Sequence, residues 1–260
     1  MQRPISKKVS FESSGGYPLA ALASYPDRDE PLKGWCLFAH CFTCHKNYKV
    51  IAAISRILND EGFGVFRFDF GGLGDSGGRF EDTNLSSNIE DVHDAARFMA
   101  AEFAAPDILI GHSLGGSAVL SAANAIPTVK GVVTIASSFD PRRLQRLFTE
   151  HSEAMADDPE QVFNVMVSDR KMPFKQQFLD DLAGHDLESC IQSLGVPLLI
   201  LHSPQDKTTP IENGEKIFAA ARHPKSFVAL DGAGHLLAER DMAAYAGQVI
   251  ALWSTRQTEA

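Results

Sequence analysis

One short segment of the sequence holds a serine in a setting that suits nucleophilic chemistry. Ser113 is the third residue of Gly-His-Ser-Leu-Gly at 111–115, which follows the apolar stretch Ile108–Ile110 and opens a run of small residues. This pattern predicts a strand, a sharp turn at the serine and a helix. Small neighbours permit such a turn without collision, and the N-terminus of the helix would stabilise negative charge beside the hydroxyl. Chance matches to so short a pattern occur, but the flanking strand and helix favour a catalytic serine.

A serine hydroxyl is a poor nucleophile at neutral pH and needs a base within hydrogen-bonding distance. Nine histidines are candidates. His235 ends the glycine-rich stretch 231–235, which follows the last predicted strand, so its imidazole could reach a strand end without obstruction. His202 lies in a strand pattern, His93 and His151 lie on helical stretches, and His185 and His223 lie in polar surroundings. We therefore predict that His235 is the base.

An acid must orient that imidazole and stabilise its charged form. Asp206 follows the buried stretch Pro197–His202, and sites form at strand ends on this side of a doubly wound sheet. It also gives the order serine, acid, histidine that is expected for this arrangement. Asp206 is therefore the predicted acid, with Glu212 and Asp231 as alternatives.

Acyl transfer creates an oxyanion, which preorganised N–H groups must stabilise. Leu114, next to the serine, would supply one N–H. The second should come from the loop after the predicted strand Trp35–Ala39, and we predict the N–H of Phe42. Phe42 and Leu114 are thus the predicted oxyanion hole.

The same loop contains a pattern that suggests other chemistry. Residues 41–45 match the C-x-x-C-H of c-type haem attachment, and C-x-x-C also occurs in zinc and redox sites. Haem attachment needs an exported chain, which nothing in the sequence signals. Zinc needs a second ligand pair, which Cys36 and Cys190 do not form. Dithiol redox chemistry at Cys41 and Cys44 stays open, because a helix N-terminus lowers a thiol pKa.

The elements that must position these residues alternate along the chain. Eight stretches are predicted as strands: 7–12, 19–25, 35–39, 64–70, 107–111, 131–136, 197–202 and 226–230. Helical patterns lie at 46–61, from Ser87 onward, at 114–125 and at 240–256, and Ser87 with Glu90 forms a capping-box pattern. The 260 residues suffice for one large domain. The alternation predicts an α/β fold with a mostly parallel eight-stranded sheet and helices on both faces.

One segment interrupts this alternation. Residues 139–194 lack a buried strand of the usual kind, although Val165–Ser168 and Met172–Lys175 could form a small hairpin. We predict that the segment is a small cap inserted into a core formed by residues 1–138 and 195–260. The cap either shapes the substrate pocket or is a structural lid with its own apolar core. The predicted substrate contacts are Phe42, His112, Met166 and Phe174.

Composition argues against some classes of partner. The formal net charge of −9 comes from 24 basic and 33 acidic residues, and it would repel phosphate backbones and anionic lipids, so we expect neither nucleic acid nor membrane as a partner. The N-terminus lacks the apolar stretch of a signal peptide. We therefore expect a cytoplasmic chain whose four cysteines are thiols, with monomer and dimer both open.

The motifs around Ser113, Asp206 and His235 together resemble the α/β-hydrolase superfamily. The segment 69–76 is similar to the superfamily's glycine-rich turn before the second main helix. A closer likeness is to the hydrolase half of bacterial proteins fused to an OsmC-type peroxidase domain. It is carried by Phe38–Cys44, Phe66–Phe70, Gln177–Asp181 and Ala221–Phe227. The sequence ends after the last predicted helix, so we expect no OsmC-type domain.

Two positions depart from the superfamily pattern. Cys41 stands where glycine usually follows the histidine of the oxyanion loop, although the OsmC-fused relatives resemble this chain in having a cysteine there. Gly71 stands where arginine is usual, which bears on how its loop is anchored.

The resemblance implies a serine hydrolase that cleaves small carboxylic esters, with short acyl groups favoured, through an acyl-enzyme and without a metal or organic cofactor. Thioesterase, amidase, lipase and perhydrolase chemistry would use the same triad and stay open. Superfamily members that open epoxides or remove halide need an aspartate nucleophile, whereas position 113 is serine. Two alternatives come from other classes: a non-catalytic binding protein and a dithiol redox protein.

Overall fold

The structure, a computed structural model, describes residues 4–149, 155, 157–167, 170–239 and 241–259. His151, Ser168 and Arg240, which figure in the sequence predictions, lie outside the described residues. Eight of the described strands form one sheet, in the order β1-β2-β4-β3-β5-β6-β9-β10. The strands of this sheet are β1 Ile5–Glu12, β2 Pro18–Tyr25, β3 Gly34–Ala39, β4 Phe63–Phe68, β5 Ile108–His112, β6 Gly131–Ile135, β9 Leu198–His202 and β10 Lys225–Ala229.

Strand β2 pairs antiparallel with both β1 and β4, and every other described pairing in this sheet is parallel. The mostly parallel eight-stranded sheet that the alternation predicts is therefore confirmed, as is the α/β-hydrolase fold that the resemblance implies. Parallel strands place their carboxyl ends at one edge of the sheet. The residues that follow β3, β5 and β9 consequently meet at that edge.

Helices cover both faces of the sheet. The described α-helices are α1 Lys49–Asp60, α2 Leu85–Glu102, α3 Leu114–Ala122, α4 Gln176–Gly184, α5 Leu187–Gln192, α6 Glu212–Ala220 and α7 Met242–Thr258, and the 3₁₀ helices are Phe80–Asp82, Ala123–Ala125 and Pro141–Phe148. Alternate residues of the central strands enter different clusters of the core: Leu37 and Leu109 face one cluster, and Phe38 and Ile110 face the other. Both faces of these strands are thus buried, which explains their continuous apolar sequence.

Helix α2 begins three residues earlier than the capping-box pattern at Ser87 predicts. Asn84 is the N-cap: its side chain accepts a hydrogen bond of 2.9 Å from the Ser87 N–H, and Ser87 Oγ accepts one of 2.9 Å from the Asn84 N–H. The prediction of Ser87 as N-cap was wrong, because this serine occupies the third helical position of an earlier box.

The inserted segment contains a hairpin of its own. Strands β7 (Phe163–Val167) and β8 (Arg170–Phe174) pair antiparallel in a two-stranded sheet separate from the main one, which confirms the small two-stranded insertion. Below the hairpin, Phe174 packs against Phe148 and Phe178 with ring centroids 4.8 and 5.0 Å away. The boundaries of the cap at residues 139 and 194 stay a prediction.

The loop after β4 is anchored where the sequence departs from the superfamily pattern. A Cβ at Gly71 would lie 2.6 Å from the ring of Tyr17, so Tyr17 fills the space that a side chain would need. The carboxylate of Asp91, on α2, accepts hydrogen bonds from the Gly71 N–H at 2.9 Å and the Tyr17 hydroxyl at 3.0 Å. Burial raises the pKa of Asp91 to about 7, although these two hydrogen bonds act in the opposite direction.

Replacing Asp91 by Asn is expected to remove a pH-dependent loss of stability. The Asp91 carboxyl has an ordinary pKa of 3.8 in the unfolded chain, whereas its pKa in the folded protein is about 7. A raised pKa favours folding fully below pH 3.8, and this contribution is lost as the pH rises to about 7. The loss is at most about 4 kcal/mol. Denaturant unfolding at several pH values between these limits should show the wild type losing stability relative to Asp91→Asn as the pH rises.

Asp180→Asn provides the control, because Asp180 is an exposed carboxyl on α4. The buried histidines also make the free energy of unfolding depend on pH in this range, and they do so in all three proteins. The test is therefore the difference in free energy of unfolding between two proteins at each pH. The difference between wild type and Asp180→Asn should be flat. Parallel curves for wild type and Asp91→Asn would contradict the effect of burial on Asp91.

Candidate active site

Ser113 occupies a sharp turn between β5 and α3. Its backbone has φ 55° and ψ −118°, a region that a residue with a side chain rarely adopts. Hydrogen bonds hold the turn: the Ser113 N–H donates to Ile135 O at 2.9 Å, and Ser113 O accepts from the Gly116 N–H at 2.9 Å. The strand, turn and helix predicted around the serine are present, and the strain is supported by the surrounding backbone.

Glycines make this turn possible because backbone approaches them closely. A Cβ at Gly111 would lie 2.5 Å from the Cα of Gly116, inside the turn itself. A Cβ at Gly115 would lie 2.5 Å from the carbonyl oxygen of Ala39, the last residue of β3. Real Cβ atoms do not come so close to backbone. Gly115 thus lets the end of β3, and the loop that follows it, lie directly against the N-terminus of α3.

The structure brings the three predicted side chains together. His235 Nε2 lies 3.0 Å from Ser113 Oγ, and His235 Nδ1 lies 2.8 Å from Asp206 Oδ2. The other carboxylate oxygen of Asp206 accepts hydrogen bonds from the N–H groups of Thr208 and Thr209 at 2.9 and 2.8 Å. This is a continuous hydrogen-bonded chain from a serine hydroxyl through an imidazole to a carboxylate.

The pKa of Asp206 determines which groups donate and which accept in these hydrogen bonds. Burial would raise the pKa of Asp206, but the hydrogen bond and charge of His235, with the two threonine N–H groups, lower it below its ordinary value. The carboxylate is therefore ionised at neutral pH and accepts the Nδ1–H of His235. Nε2 is then left with a lone pair that can take the proton of Ser113. Of the alternative acids, Asp231 instead accepts a hydrogen bond from Gln205 at 2.8 Å.

Buried neutral histidines position the loops that carry His235 and Asp206. Nε2 of His112 lies 2.9 Å from the carbonyl oxygen of His235, and Nε2 of His202 lies 2.7 Å from that of Thr209. Burial lowers the pKa of His112 to about 3 and also lowers that of His202, so both rings are neutral and donate from Nε2. Sequence reasoning missed both positioning roles, because neither contact partner is a neighbour in sequence.

The predicted oxyanion loop is anchored by a third neutral histidine. His40 is buried, and burial lowers its pKa to about 4. The Phe70 N–H can only donate, so His40 Nε2 accepts from it at 3.1 Å, and Nδ1 donates to Cys41 O at 2.8 Å. Across the described residues the Phe42 N–H has no hydrogen-bond acceptor. Leu114 is the first residue of α3, where the N–H has no acceptor inside the helix.

A buried ion pair ties down the far end of the same loop. The backbone N–H and Nζ of Lys46 each donate to Asp69 at 2.5 Å, and Nζ also lies 2.7 Å from Asp75. Burial opposes the charge of the ammonium, but the hydrogen bonds to both carboxylates raise the pKa of Lys46 above its ordinary value. The charged pair fixes the loop after β4 against the predicted oxyanion loop.

Cys41 and Cys44 form a disulfide across this loop. The prediction that all four cysteines are thiols was therefore wrong for this pair, whereas Cys36 and Cys190 are free. That prediction followed from the expected cellular compartment, but a tight turn, with the Cys44 N–H donating to Cys41 O at 3.0 Å, brings the two side chains together. The helix that follows begins only at Lys49, so neither sulfur lies at a helix N-terminus.

Ser113 opens into a cleft of about 240 Å³. Its lining comes from the serine turn, the predicted oxyanion loop, the loop after β9 and the 3₁₀ helix Pro141–Phe148; the lining residues are Phe42, Ser113, Leu114, Ser138, Pro141, Arg143, Leu144, Arg146, Leu147, Thr208 and Thr209. Phe42, Ser113 and Leu114 thus share one cavity. The contribution of the 3₁₀ helix was not predicted, although Pro at its first position is a helix-start signal.

Three of the four predicted substrate contacts do not line this cleft. His112 is buried and turned towards the backbone of His235. Met166 is 53% exposed on β7, and Phe174 is 1% exposed inside the aromatic cluster of the insertion. Only Phe42 lies in the cavity with the serine. Within the insertion, the 3₁₀ helix, and not the hairpin, is the part that lines the cavity with Ser113.

Comparison with known proteins shows the family of the chain. Residues 30–177 match the family model Hydrolase_4, described as serine aminopeptidase, S33. The chain belongs to this family of α/β-hydrolases. The matched residues include the predicted oxyanion loop and the serine turn but end before Asp206 and His235, whose assignment therefore rests on geometry.

Individual relatives agree with the fold. A solved esterase domain from Rhodothermus marinus is 41% identical, with 98% of this chain and 99% of that chain covered and a TM-score of 0.78. Est1E from Butyrivibrio proteoclasticus, solved with ferulic acid, is 20% identical, with coverages of 97% and 100% and a TM-score of 0.83. Human ABHD12B is 30% identical over 173 residues, which are 65% of this chain and 44% of ABHD12B. The chain spans about half the length of the curated relatives it matches.

The described residues provide neither a cluster of metal ligands nor a membrane-spanning helix. Within the described ranges, no group of three or more His, Cys, Asp or Glu side chains is placed to hold a metal ion. The described helices include none with the length and apolar character needed to cross a membrane.

Replacing Gly115 by Ala is expected to destabilise the protein, although alanine favours a helix more than glycine does. The added Cβ would collide with the backbone at the end of β3, and overpacking of this kind costs about 1–3 kcal/mol. Thermal unfolding measures the effect. Gly184→Ala is the control, because a Cβ at this last residue of α4 meets nothing within 4 Å. Equal stability of the two variants would contradict the close approach of β3 to α3.

Proposed function

We propose that this protein is a carboxylesterase that hydrolyses small carboxylic esters through an acyl-enzyme on Ser113. The observation that carries the proposal is the hydrogen-bonded chain from Ser113 through His235 to Asp206, with the serine opening into a cleft. The esterase domain from Rhodothermus marinus supports it, because that domain covers nearly the whole of this chain at 41% identity.

In the first half of the reaction, Ser113 Oγ attacks the ester carbonyl while its proton passes to His235 Nε2. Asp206, ionised and hydrogen-bonded to Nδ1, stabilises the imidazolium that forms. The carbonyl oxygen becomes an oxyanion and accepts hydrogen bonds from the N–H groups of Phe42 and Leu114. When the tetrahedral intermediate collapses, His235 returns the proton to the alcohol, which leaves.

In the second half, a water molecule occupies the place of the alcohol. His235 takes a proton from the water, whose oxygen attacks the acyl carbonyl of the ester on Ser113. The oxyanion forms again in the same position, and its collapse releases the carboxylic acid as His235 returns the proton to Ser113 Oγ. Each proton transfer in this sequence uses the same imidazole nitrogen, so one histidine serves as base and acid in turn.

The cleft favours short acyl groups. Its volume of about 240 Å³ is below the roughly 300–1,000 Å³ of pockets that hold drug-sized ligands. Thioesterase, amidase, lipase and perhydrolase reactions would use the same three residues. An aminopeptidase, as the family description has it, must bind the ammonium group of a peptide, yet the described lining contains Arg143 and Arg146 and no carboxylate. The charge of the lining therefore favours ester hydrolysis over aminopeptidase action.

The wild type is expected to hydrolyse 4-nitrophenyl esters, with kcat/KM highest for acyl chains of about two to six carbons because longer chains exceed the cleft. Ser113→Ala should lower kcat by about 10³-fold or more, since the nucleophile is lost. Release of 4-nitrophenolate across a series of acyl lengths measures both expectations. A fluorophosphonate probe, which reacts with an activated serine, should label the wild type but not Ser113→Ala.

Ser138→Ala is the matched control for labelling. Ser138 also lines the cleft, but its hydroxyl donates to Asp140 O at 2.9 Å and contacts no histidine in the described structure. This variant should be labelled as the wild type is. Absence of labelling in the wild type, or equal labelling of Ser113→Ala, would overturn the esterase proposal in favour of a non-catalytic binding protein.

The disulfide supports dithiol redox chemistry as a second candidate, but its surroundings do not favour attack by a substrate. Cys41 is 2% exposed and Cys44 is 8% exposed, so neither sulfur is accessible. We expect a protein with both Cys41→Ala and Cys44→Ala to keep ester hydrolysis within about tenfold of the wild type, because the loop retains its anchors at His40 and Lys46.

Assays of ester hydrolysis and of dithiol-dependent peroxide consumption on the same preparations separate the two candidates. The esterase proposal expects the first activity in both proteins. Peroxide consumption by the wild type that is lost with the two cysteines would instead support the redox candidate.

A further inference from the structure

The 3₁₀ helix Pro141–Phe148 presents two different rows of side chains to the cleft. In a 3₁₀ helix, residues three apart lie one above the other. Pro141, Leu144 and Leu147 form an apolar row, and Arg143 and Arg146 form a cationic row beside it. All five residues line the cavity into which Ser113 opens. One wall of the cleft therefore combines hydrocarbon with two guanidinium groups.

The described residues do not neutralise these two guanidinium groups. Within the part of the chain that the structure describes, neither Arg143 nor Arg146 has an ion pair or a hydrogen bond from its side chain. The nearest described acid in sequence, Asp140, is occupied by Arg142, whose Nε and Nη2 donate to its two carboxylate oxygens at 2.7 and 2.9 Å. Arg142 is the main cause of the lowered pKa of Asp140, and the charge of Arg143 adds only at longer range.

The two cleft arginines contrast with the acidic net charge of the whole molecule. The chain has 33 acidic and 24 basic residues, yet two arginines that have no partner among residues 4–149 and the other described ranges share a cleft whose described lining contains no carboxylate. A guanidinium group matches the geometry of a carboxylate or phosphate and forms charge-assisted hydrogen bonds with it. Two neighbouring arginines on one wall of the cleft can thus both donate to a single anionic group.

We propose that the cleft selects esters that carry an anionic group, a carboxylate or a phosphate, on the acyl or the alcohol arm. Arg143 and Arg146 bind the anion, while Pro141, Leu144 and Leu147 contact the short hydrocarbon between the anion and the ester. This inference rests on the proposed esterase function of Ser113. It makes the two arginines specificity determinants of the reaction.

The test compares matched esters that differ in the anion. For the acyl arm, the pair is 4-nitrophenyl pentanoate and the mono-4-nitrophenyl ester of glutaric acid, which have equal acyl length. For the alcohol arm, the pair is 4-acetylphenyl butanoate and 4-carboxyphenyl butanoate. The variants are Arg143→Gln, Arg146→Gln and both together. The ratio of kcat/KM for the anionic ester to that for the neutral ester, compared between variant and wild type, cancels the intrinsic reactivity of each ester.

For whichever arm the cleft binds through its anion, the double variant should lower this ratio by about tenfold or more, mainly through KM. Hydrolysis of the neutral ester should change by less than about twofold, which shows that the variant folds. Arg142→Gln is the matched control, because this neighbouring guanidinium is paired with Asp140 and does not line the cleft. Its ratio should equal that of the wild type.

Two results would overturn the proposal, and they are distinguishable. If the wild type hydrolyses neutral esters and the ratio is unchanged in the double variant for both arms, the anion site is wrong and the esterase function stands. If the wild type hydrolyses no ester and is not labelled by a fluorophosphonate, the function fails and the specificity fails with it.

Discussion

The close contact between the end of β3 and the first turn of α3 is the constraint on which the rest of the candidate site depends. It exists because Gly115 has no side chain, so that the carbonyl oxygens of Ala39 and His40 can lie against the helix. The contact brings the loop containing Phe42 to the N-terminus of the helix that Ser113 begins. Phe42 and Leu114, from segments far apart in sequence, therefore line the same cavity, where negative charge would form in the proposed reaction. A side chain at position 115 would separate them.

Buried histidines position the loops of the candidate site, and a different histidine, His235, contacts Ser113. His40, His112 and His202 are each held neutral by burial, and each fixes a loop through a hydrogen bond to a backbone group. A neutral ring brings no charge into the core; His40 uses both of its nitrogens in this way, whereas His112 and His202 each bond through Nε2. His235 differs because it faces both an ionised carboxylate and the serine hydroxyl. The proposed roles of these histidines differ because their environments differ.

Much of this arrangement could be predicted from sequence, and the errors have physical causes. The strands are continuous apolar runs because both faces of the sheet are buried, and the residues at their ends follow from the parallel topology. Met166 and Phe174 lie outside the cleft because of how the insertion folds over the sheet edge, which periodicity does not encode. His112, at the end of β5, lies outside it because its ring is buried against the backbone of His235. The disulfide was missed because cysteine chemistry was inferred from compartment, whereas the turn geometry decides it. The start of α2 was misplaced because two overlapping capping patterns compete.

The insertion is more than a lid over the cleft, because its core is continuous with the predicted oxyanion loop. The ring of Phe42 stacks on Phe178 with centroids 5.6 Å apart and lies 5.9 Å from Phe174, and Arg170 donates to Thr43 O at 2.8 Å. The same aromatic cluster includes Phe148, the last residue of the 3₁₀ helix that carries the cationic row. The wall proposed to bind the substrate and the loop proposed to stabilise the oxyanion are therefore packed on one set of rings. A change in that packing would alter the proposed selectivity and catalysis together. The two roles predicted for the cap, pocket wall and structural lid, therefore depend on the same contacts.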